Sequence, residues 1–182
     1  MRHALLQDPA FFLFLLRIDQ TLAAETRGAG CRCGGVLHSA RYPRKPRGCP
    51  VQVREDYAWR FSFCCAQCDR RTTPVSVRFL GRRVYLAVVL ALVSPPGGAA
   101  AQRSAQLLTI PVRTLARWRA WWSRDFLATP FWQSMRARFQ APAPCEGLPQ
   151  SLLERFDAAL PAQRLVLLLH FLTPLSTCPV SR

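Results

Sequence analysis

Acidic residues are scarce in this chain of 182 residues: 10 Asp and Glu stand against 25 Lys and Arg, and only Lys45 among the latter is a lysine. So few carboxylates argue against a strand-transfer centre of the RNase-H-like type, where an acidic triad holds two metal ions, and no strand-rich region follows residue 98 to carry one. The expectation is a protein that is not an enzyme. Long apolar runs are missing as well. Phe11–Leu16, Tyr85–Val93 and Leu165–Leu172 each fall well short of the roughly 20 residues that cross a bilayer, so they read as core elements and no membrane partner is expected. A secretory leader is not legible either, because Asp8 and Pro9 interrupt any apolar stretch after Arg2 and His3 and no small-residue cleavage site follows; a cytoplasmic location is expected. No internal repeat is found.

The near absence of lysine fits the codon bias of a GC-rich genome. Bias accounts for arginine in place of lysine, not for the missing acids. The formal net charge of +15 and a pI near 11.0 therefore point to a polyanionic partner, with nucleic acid first. Half of the residues are hydrophobic, enough to bury a core in one domain or in two small modules sharing an interface.

The texture of the chain changes along its length. Pro9 to Arg27 has no internal Gly or Pro and spaces Phe12, Leu15, Leu16, Asp19 and Leu22 helically, which predicts one amphipathic helix closed by Gly28 and Gly30. From Cys31 to Phe79, paired glycines, prolines and the alternating stretch Trp59-Arg60-Phe61-Ser62-Phe63 suit short strands and turns. Gly81 to Val93 reads as an apolar helix or buried strand, and Ser94-Pro95-Pro96-Gly97-Gly98 ends it as a linker, with a domain boundary near residue 96. Ala99 to Phe126 reads as two helices. Pro130, Pro142, Pro144, Pro149, Pro161 and Pro174 then punctuate a helical last third in which Leu148–Phe156 and Gln163–Leu172 read as two amphipathic helices that pack together or meet a partner. The fold class is α+β, mostly α, divided into an N-terminal helix (1–30), a small β zinc ribbon (31–80), a connecting helix and linker (81–98), a helix-turn-helix (99–128) and a helical region (129–182).

Eight cysteines without a leader favour metal ligation or free thiols over disulfides. A structural zinc takes four ligands, supplied as two close pairs on turns whose amides face the sulfurs. Cys31-Arg32-Cys33-Gly34-Gly35 offers one pair, its glycines letting the backbone curl without a Cβ clash, and Cys65-Ala66-Gln67-Cys68 offers the other. The ligand set expected is thus Cys31, Cys33, Cys65 and Cys68 around a structural Zn2+. The single residue between Cys31 and Cys33 makes joint chelation more strained than the usual two, which keeps His38, Cys49 and Cys64 as alternative ligands. With no carboxylate and no open position, such a site is structural, contributing on the order of 10 kcal/mol to folding. Cys145 and Cys178 read as small buried apolar residues, and His170 as a core histidine inside an apolar run.

Gln102–Leu108 as a first helix, Thr109-Ile110-Pro111 as a tight turn and Val112–Trp122 as a second helix have the order and lengths of a helix-turn-helix. At about 100° per residue, Leu115, Trp118 and Trp122 share one stripe while Arg113, Arg117, Ala120 and Arg124 lie opposite. Arg113, Thr114 and Arg117 are candidate contacts to base edges in the major groove of double-stranded DNA, with Arg103, Arg119 and Arg124 on phosphates. Arg41 to Arg47, Arg70-Arg71 and Arg78-Phe79-Leu80-Gly81-Arg82-Arg83 extend the cationic texture.

Taken together, Cys33-Gly34-Gly35, Tyr42-Pro43-Arg44-Lys45-Pro46-Arg47-Gly48 and Phe63-Cys64-Cys65-Ala66-Gln67-Cys68-Asp69-Arg70-Arg71-Thr72-Thr73-Pro74 resemble short bacterial mobile-element proteins that join a transposase-type zinc ribbon to a helix-turn-helix. The resemblance covers roughly residues 28 to 122. It implies recognition of element DNA, with Cys33, Cys65 and Cys68 on zinc-ligand positions and Arg113 to Trp122 on the recognition helix. The expected function is that of a non-catalytic, zinc-containing DNA-binding accessory or regulatory factor, with a transposase or another protein as a further partner and homodimerisation open. The competing expectation is a zinc-ribbon adaptor for protein interaction without specific DNA recognition.

Overall fold

A computed structural model describes residues 2–80, 86–95, 99–139 and 145–177. In chain order the elements are α1 (Arg2–Gln7), α2 (Pro9–Ala29), β1 (Leu37–Ser39), β2 (Tyr42–Pro43), a 3-10 turn (Val51–Val53), α3 (Arg54–Tyr57), β3 (Trp59–Arg60), β4 (Phe63–Cys65), β5 (Arg71–Thr72), α4 (Ala87–Val93), α5 (Ala99–Leu107), α6 (Val112–Ala120), a π turn (Trp121–Asp125), α7 (Pro130–Met135), α8 (Gln150–Leu153) and α9 (Pro161–Phe171). The fold is α+β and mostly α, as the sequence predicts. Two compact units divide the chain: Gln7–Leu86 with Leu172–Arg182, and Met1–Leu6 with Ala87–Phe171. The division falls at Leu86/Ala87, upstream of the Pro-Gly stretch, because α4 is fully buried and belongs to the second unit. The linker residues Pro96, Gly97 and Gly98, the start of the predicted apolar element at 81–85 with Arg82 and Arg83, and Pro142, Pro144 and Cys178 lie outside the described residues.

In the first unit, α2 begins where Asp8 caps it, the carboxylate accepting from Ala10 N at 2.9 Å with Pro9 at the first helical position. The helix runs through Gly28 and ends at Gly30, whose φ of 72° only glycine adopts without strain. Its buried face is Phe11, Phe12, Leu15, Asp19 and Ala23, while Leu16 and Leu22 are half-buried. β1, β4 and β5 form an antiparallel sheet in that spatial order, with Leu37 opposite Cys65, His38 opposite Cys64 and Phe63 opposite Thr72. β2 and β3 pair separately, Tyr42 with Arg60 and Pro43 with Trp59. The stretch between the cysteine pairs is not purely strand and turn, since the 3-10 turn and α3 occupy Val51–Tyr57 and bury Val53 and Tyr57.

A carboxylate on the apolar face of α2 needs a partner, because a lone buried charge is unstable. Asp19 finds it in Arg78, with Nε to Oδ2 at 2.7 Å and both side chains at most 2% exposed. Asp19 also accepts from Ser76 Oγ at 2.6 Å and Val77 N at 2.8 Å, and Arg78 Nη1 donates to Asp56 O at 3.0 Å. The guanidinium lies over the rings of Tyr57, Phe61 and Phe79, 4.8–5.4 Å from their centroids. Arg78 is therefore a core residue and not part of a cationic surface, a correction to the sequence expectation that follows from its pairing with Asp19.

The second unit packs around aromatics. Trp122 meets Phe126 at 4.9 Å between centroids, Phe126 meets Trp132 at 5.0 Å, and Phe139 with Phe171 continues the chain to α9. α8 and α9 pack on each other, the first of the two arrangements expected for the last third. His170, however, is exposed: α9 turns Leu165, Leu168 and Leu169 inward and carries His170 to the outer side. Cys145 is exposed too, and does not fill a core position.

Two predictions follow from this packing. Asp19→Asn leaves Arg78 buried without its counter-charge, and urea unfolding is expected to show a loss of about 3–5 kcal/mol; a loss under about 1 kcal/mol, typical of an exposed pair, would contradict the structural role given to Asp19. Thr109, between α5 and α6, adopts φ 51°, a left-handed conformation that costs a β-branched residue roughly 1–2 kcal/mol. Thr109→Gly is expected to stabilise the chain by up to about 1 kcal/mol, after the greater flexibility of glycine in the unfolded state is set against that strain, and calorimetry would detect it.

Candidate functional site

The four cysteines predicted as ligands converge. Cys31, Cys33, Cys65 and Cys68 place their sulfurs within 4.8 Å of one another, with Cys33 and Cys65 at 3.4 Å and Cys31 and Cys68 at 3.6 Å. Sulfurs bound tetrahedrally at about 2.3 Å from one ion stand roughly 3.8 Å apart, so this cluster has the size of a metal cage. The single residue between Cys31 and Cys33 is accommodated by a tight turn: Gly34 N donates to Cys31 O at 2.8 Å, Gly34 sits at φ 83°, and Cys31 N returns to Gly35 O at 3.2 Å. Gly35 has its own reason for lacking a side chain, since a Cβ there would stand 2.6 Å from Cys65 Sγ and 3.1 Å from Gln67 Cβ.

The second turn continues β4. Ala66 N donates to Val36 O at 2.9 Å, tying one cysteine loop to the other, and Cys65 N bonds Arg70 O at 3.0 Å. Asp69 closes the turn at φ 54°, its amide reaching Cys65 O at 3.2 Å. Gln67 N points at Cys65 Sγ over 3.4 Å. The amides of Cys68 and Gln67 draw the Cys65 thiol down to about 6. At Cys68 the amide of Arg70 acts in the same sense, yet the hydrogen bonds shared with Cys33, Cys31 and Cys65, together with desolvation, prevail and hold it up to about 12. One thiol yields its proton readily and another resists, as expected where four sulfurs share a space too small for four negative charges unless a cation sits among them.

The three alternative ligands stand elsewhere. His38 and Cys64 face each other across β1 and β4, one residue out of step with Leu37 and Cys65 and so on the other side of the sheet. Cys64 Sγ lies 3.5 Å from Asp69 O. Cys49 Sγ turns to Pro46 O at 3.9 Å, and burial raises its pKa.

In the second unit, α5 and α6 are joined by a left-handed helix stop. Thr109 N bonds Gln106 O at 3.0 Å and Ile110 N bonds Ala105 O at 2.8 Å, with Ile110 and Ala105 both buried, so that the chain turns and restarts at Pro111. α6 buries Leu115 and Trp118, and the following π turn keeps Trp122 and Phe126 inside. Arg103, Arg113, Arg117 and Arg124 are exposed. Arg119 is exposed as well but anchored, with Nε 3.3 Å from Ser94 O. Thr114 departs from expectation. It lies on the buried side of α6 and its hydroxyl accepts from Arg117 Nη2 at 3.3 Å, so it positions Arg117 and does not offer itself to a ligand.

Sequence reading missed one inward-facing pair, Arg60 and Ser62, which lie 4% and 2% exposed. The alternation Trp59–Phe63 contained the signal, but the apolar members of that stretch were the natural ones to place inside. No family model matches this chain, and no curated protein or solved structure matches it.

The closeness of Gly35 to Cys65 gives the prediction of this site. Gly35→Ala forces the two turns apart and is expected to weaken retention of a metal ion by at least roughly tenfold, a cost within the 1–3 kcal/mol of an overpacked site. Competition against a chromogenic chelator would measure it, and unchanged retention would mean that the four sulfurs do not act together.

Proposed function

We propose that the chain is a zinc-stabilised, non-catalytic DNA-binding protein in which the cysteine ribbon is structural and α6 is the recognition helix. The observation that carries the reading is the division of α6 into two sides. Leu115 and Trp118 are buried while Arg113 and Arg117 are exposed, on a helix that follows a sharp stop after α5. Arginine on such a helix suits bidentate pairing with guanine and charge-assisted contact with phosphate. Since Thr114 is buried, the base-edge role rests on Arg113 and Arg117, with Arg103 and Arg124 as phosphate contacts and Arg119 held closer to its own unit.

The four-sulfur donor set favours Zn2+ over a hard cation, because soft thiolates select zinc or iron–sulfur clusters and a closed set leaves no position for substrate. Zinc when bound supplies no chemistry here; it fixes the two turns. The resemblance of the ribbon to those of mobile-element proteins supports an accessory or regulatory role on element DNA, in which a transposase is a fitting protein partner.

A second reading has its own observation. Val36, Val51 and Trp59 are 65%, 72% and 45% exposed, and apolar side chains on the outside of a ribbon suit an adaptor that docks another protein.

Fluorescence anisotropy of the zinc-loaded chain on random duplex, single-stranded DNA and RNA at several salt concentrations separates the two. Duplex preference is expected, with Arg113→Ala/Arg117→Ala losing at least roughly tenfold in affinity and lowering the salt slope. Weak binding to every polyanion, unchanged in the double variant, would favour the adaptor. Removal of the metal by a strong chelator is expected to unfold the ribbon, seen as loss of its near-ultraviolet signal.

A further inference from the structure

α6 presents more than arginine to solvent. Its outward residues in the first two turns are Val112, Arg113, Ala116 and Arg117, and Val112, the first residue of the helix, is 82% exposed. At about 100° per residue, Val112 and Ala116 stand roughly 40° apart on one flank of that surface, and Arg113 and Arg117 stand as far apart on the flank beside it. Thr114, Leu115 and Trp118 lie behind them, buried. Pro111 precedes Val112 as the cap, without a side-chain hydrogen bond, and the first turn holds no acidic residue.

Helix stability does not favour valine there. A β-branched residue loses rotamer freedom in a helix, and Val112 is too exposed to recover that cost through burial. The same stiffness suits an apolar contact made on binding, since a side chain already confined to one rotamer costs little to order. Ala116, one turn on, carries only a methyl group and leaves Val112 the larger apolar group on its flank. The cationic flank is positioned as well, because Arg117 Nη2 bonds the Thr114 hydroxyl at 3.3 Å. In the major groove the apolar group on a base edge is the C5-methyl of thymine, and the N-terminal residues of a recognition helix are the ones that meet base edges. Phosphate contact alone would use the arginines and leave Val112 without a role.

On the reading of α6 as the recognition helix, on which this inference rests, we infer that Val112 sets base specificity by packing against the C5-methyl group of a thymine beside a guanine that Arg113 or Arg117 holds. The ligand is duplex DNA with a thymine and a guanine on neighbouring base pairs. Double-stranded RNA is not read in this way, because its major groove does not admit side chains. Thr114, expected from the sequence among the base contacts, is buried, and Val112 is the third member of the set in its place.

The test uses the zinc-loaded full chain, with Val112→Ala and Arg113→Ala/Arg117→Ala beside it, to select bound duplexes from a random-sequence DNA pool. The duplex enriched by the wild type is remade with deoxyuridine for each thymidine in turn, which removes one methyl group and leaves base pairing unchanged, and affinities are read by fluorescence anisotropy at one salt concentration. One such replacement beside a guanine is expected to weaken wild-type binding roughly three- to fivefold, the worth of one buried methyl group, whereas Val112→Ala binds both duplexes within about twofold of each other. A preference lost in the arginine double variant but indifferent to every deoxyuridine overturns the role of Val112 and leaves α6 as the recognition helix. So does a deoxyuridine effect that Val112→Ala retains, or an enriched sequence with no thymine beside a guanine. Enrichment of no sequence, or of one that the arginine double variant binds equally well, overturns the reading of α6 and this inference with it.

Discussion

The buried pair of Asp19 and Arg78 is the interaction on which the first unit turns, because it joins the middle of α2 to the segment that leads out of the ribbon. Its geometry is over-determined. Asp19 receives three hydrogen bonds, Arg78 is covered by three aromatic rings and spends a second donor on Asp56 O, and the Ser76 hydroxyl accepts from the amides of Arg78 and Phe79, both at 3.1 Å. Tyr57, part of the ring cover, ties back to α2 through Phe12 O at 2.7 Å, and burial pushes its pKa well up. An ion pair in such a place gives little net stability against an apolar substitute. Its contribution is position: three hydrogen bonds to one carboxylate hold the middle of α2 against residues 76–78.

The ribbon itself is too slight to persist by burial alone. Its strands are two or three residues long, and the cluster behind the sheet consists of Ala23, Leu37, Phe63 and Cys65 with Cys31 and Phe61 against it. Short strands with so small a core need a cross-link, and the four sulfurs are placed to provide one through a metal. The second unit has no such need. Buried Trp122, Phe126 and Trp132 give it an aromatic core, continued through Phe139 to the half-buried Phe171, on which α6 can expose its other side.

Net charge alone overstates the cationic surface. Arg60 and Arg78 are inside, Arg44 is half-buried, and Arg119 is bonded to Ser94 O. The arginines of α5, α6 and the π turn other than Arg119 remain outward, whereas Arg60 and Arg78 belong to the interior of the first unit.

The amino-acid sequence by itself determined the local features, because each is written in neighbouring residues. Helical spacing after Asp8-Pro9 specified α2, the two cysteine pairs with their glycines specified the metal turns, and the stripe of Leu115, Trp118 and Trp122 specified the buried side of α6. Tertiary structure alone decided which of the alternatives was used and which charges were inside. Sheet register put His38 and Cys64 on the side away from Leu37 and Cys65, and so left Cys31 in the cluster despite its short spacing. The partner of Arg78 lies 59 residues earlier in the chain, on a helix whose apolar face gives no hint that a carboxylate there is satisfied from elsewhere. Thr114, His170 and Cys145 were misplaced for the same reason: composition states what a side chain prefers, whereas its exposure depends on what packs against it, and that is known only when distant segments meet.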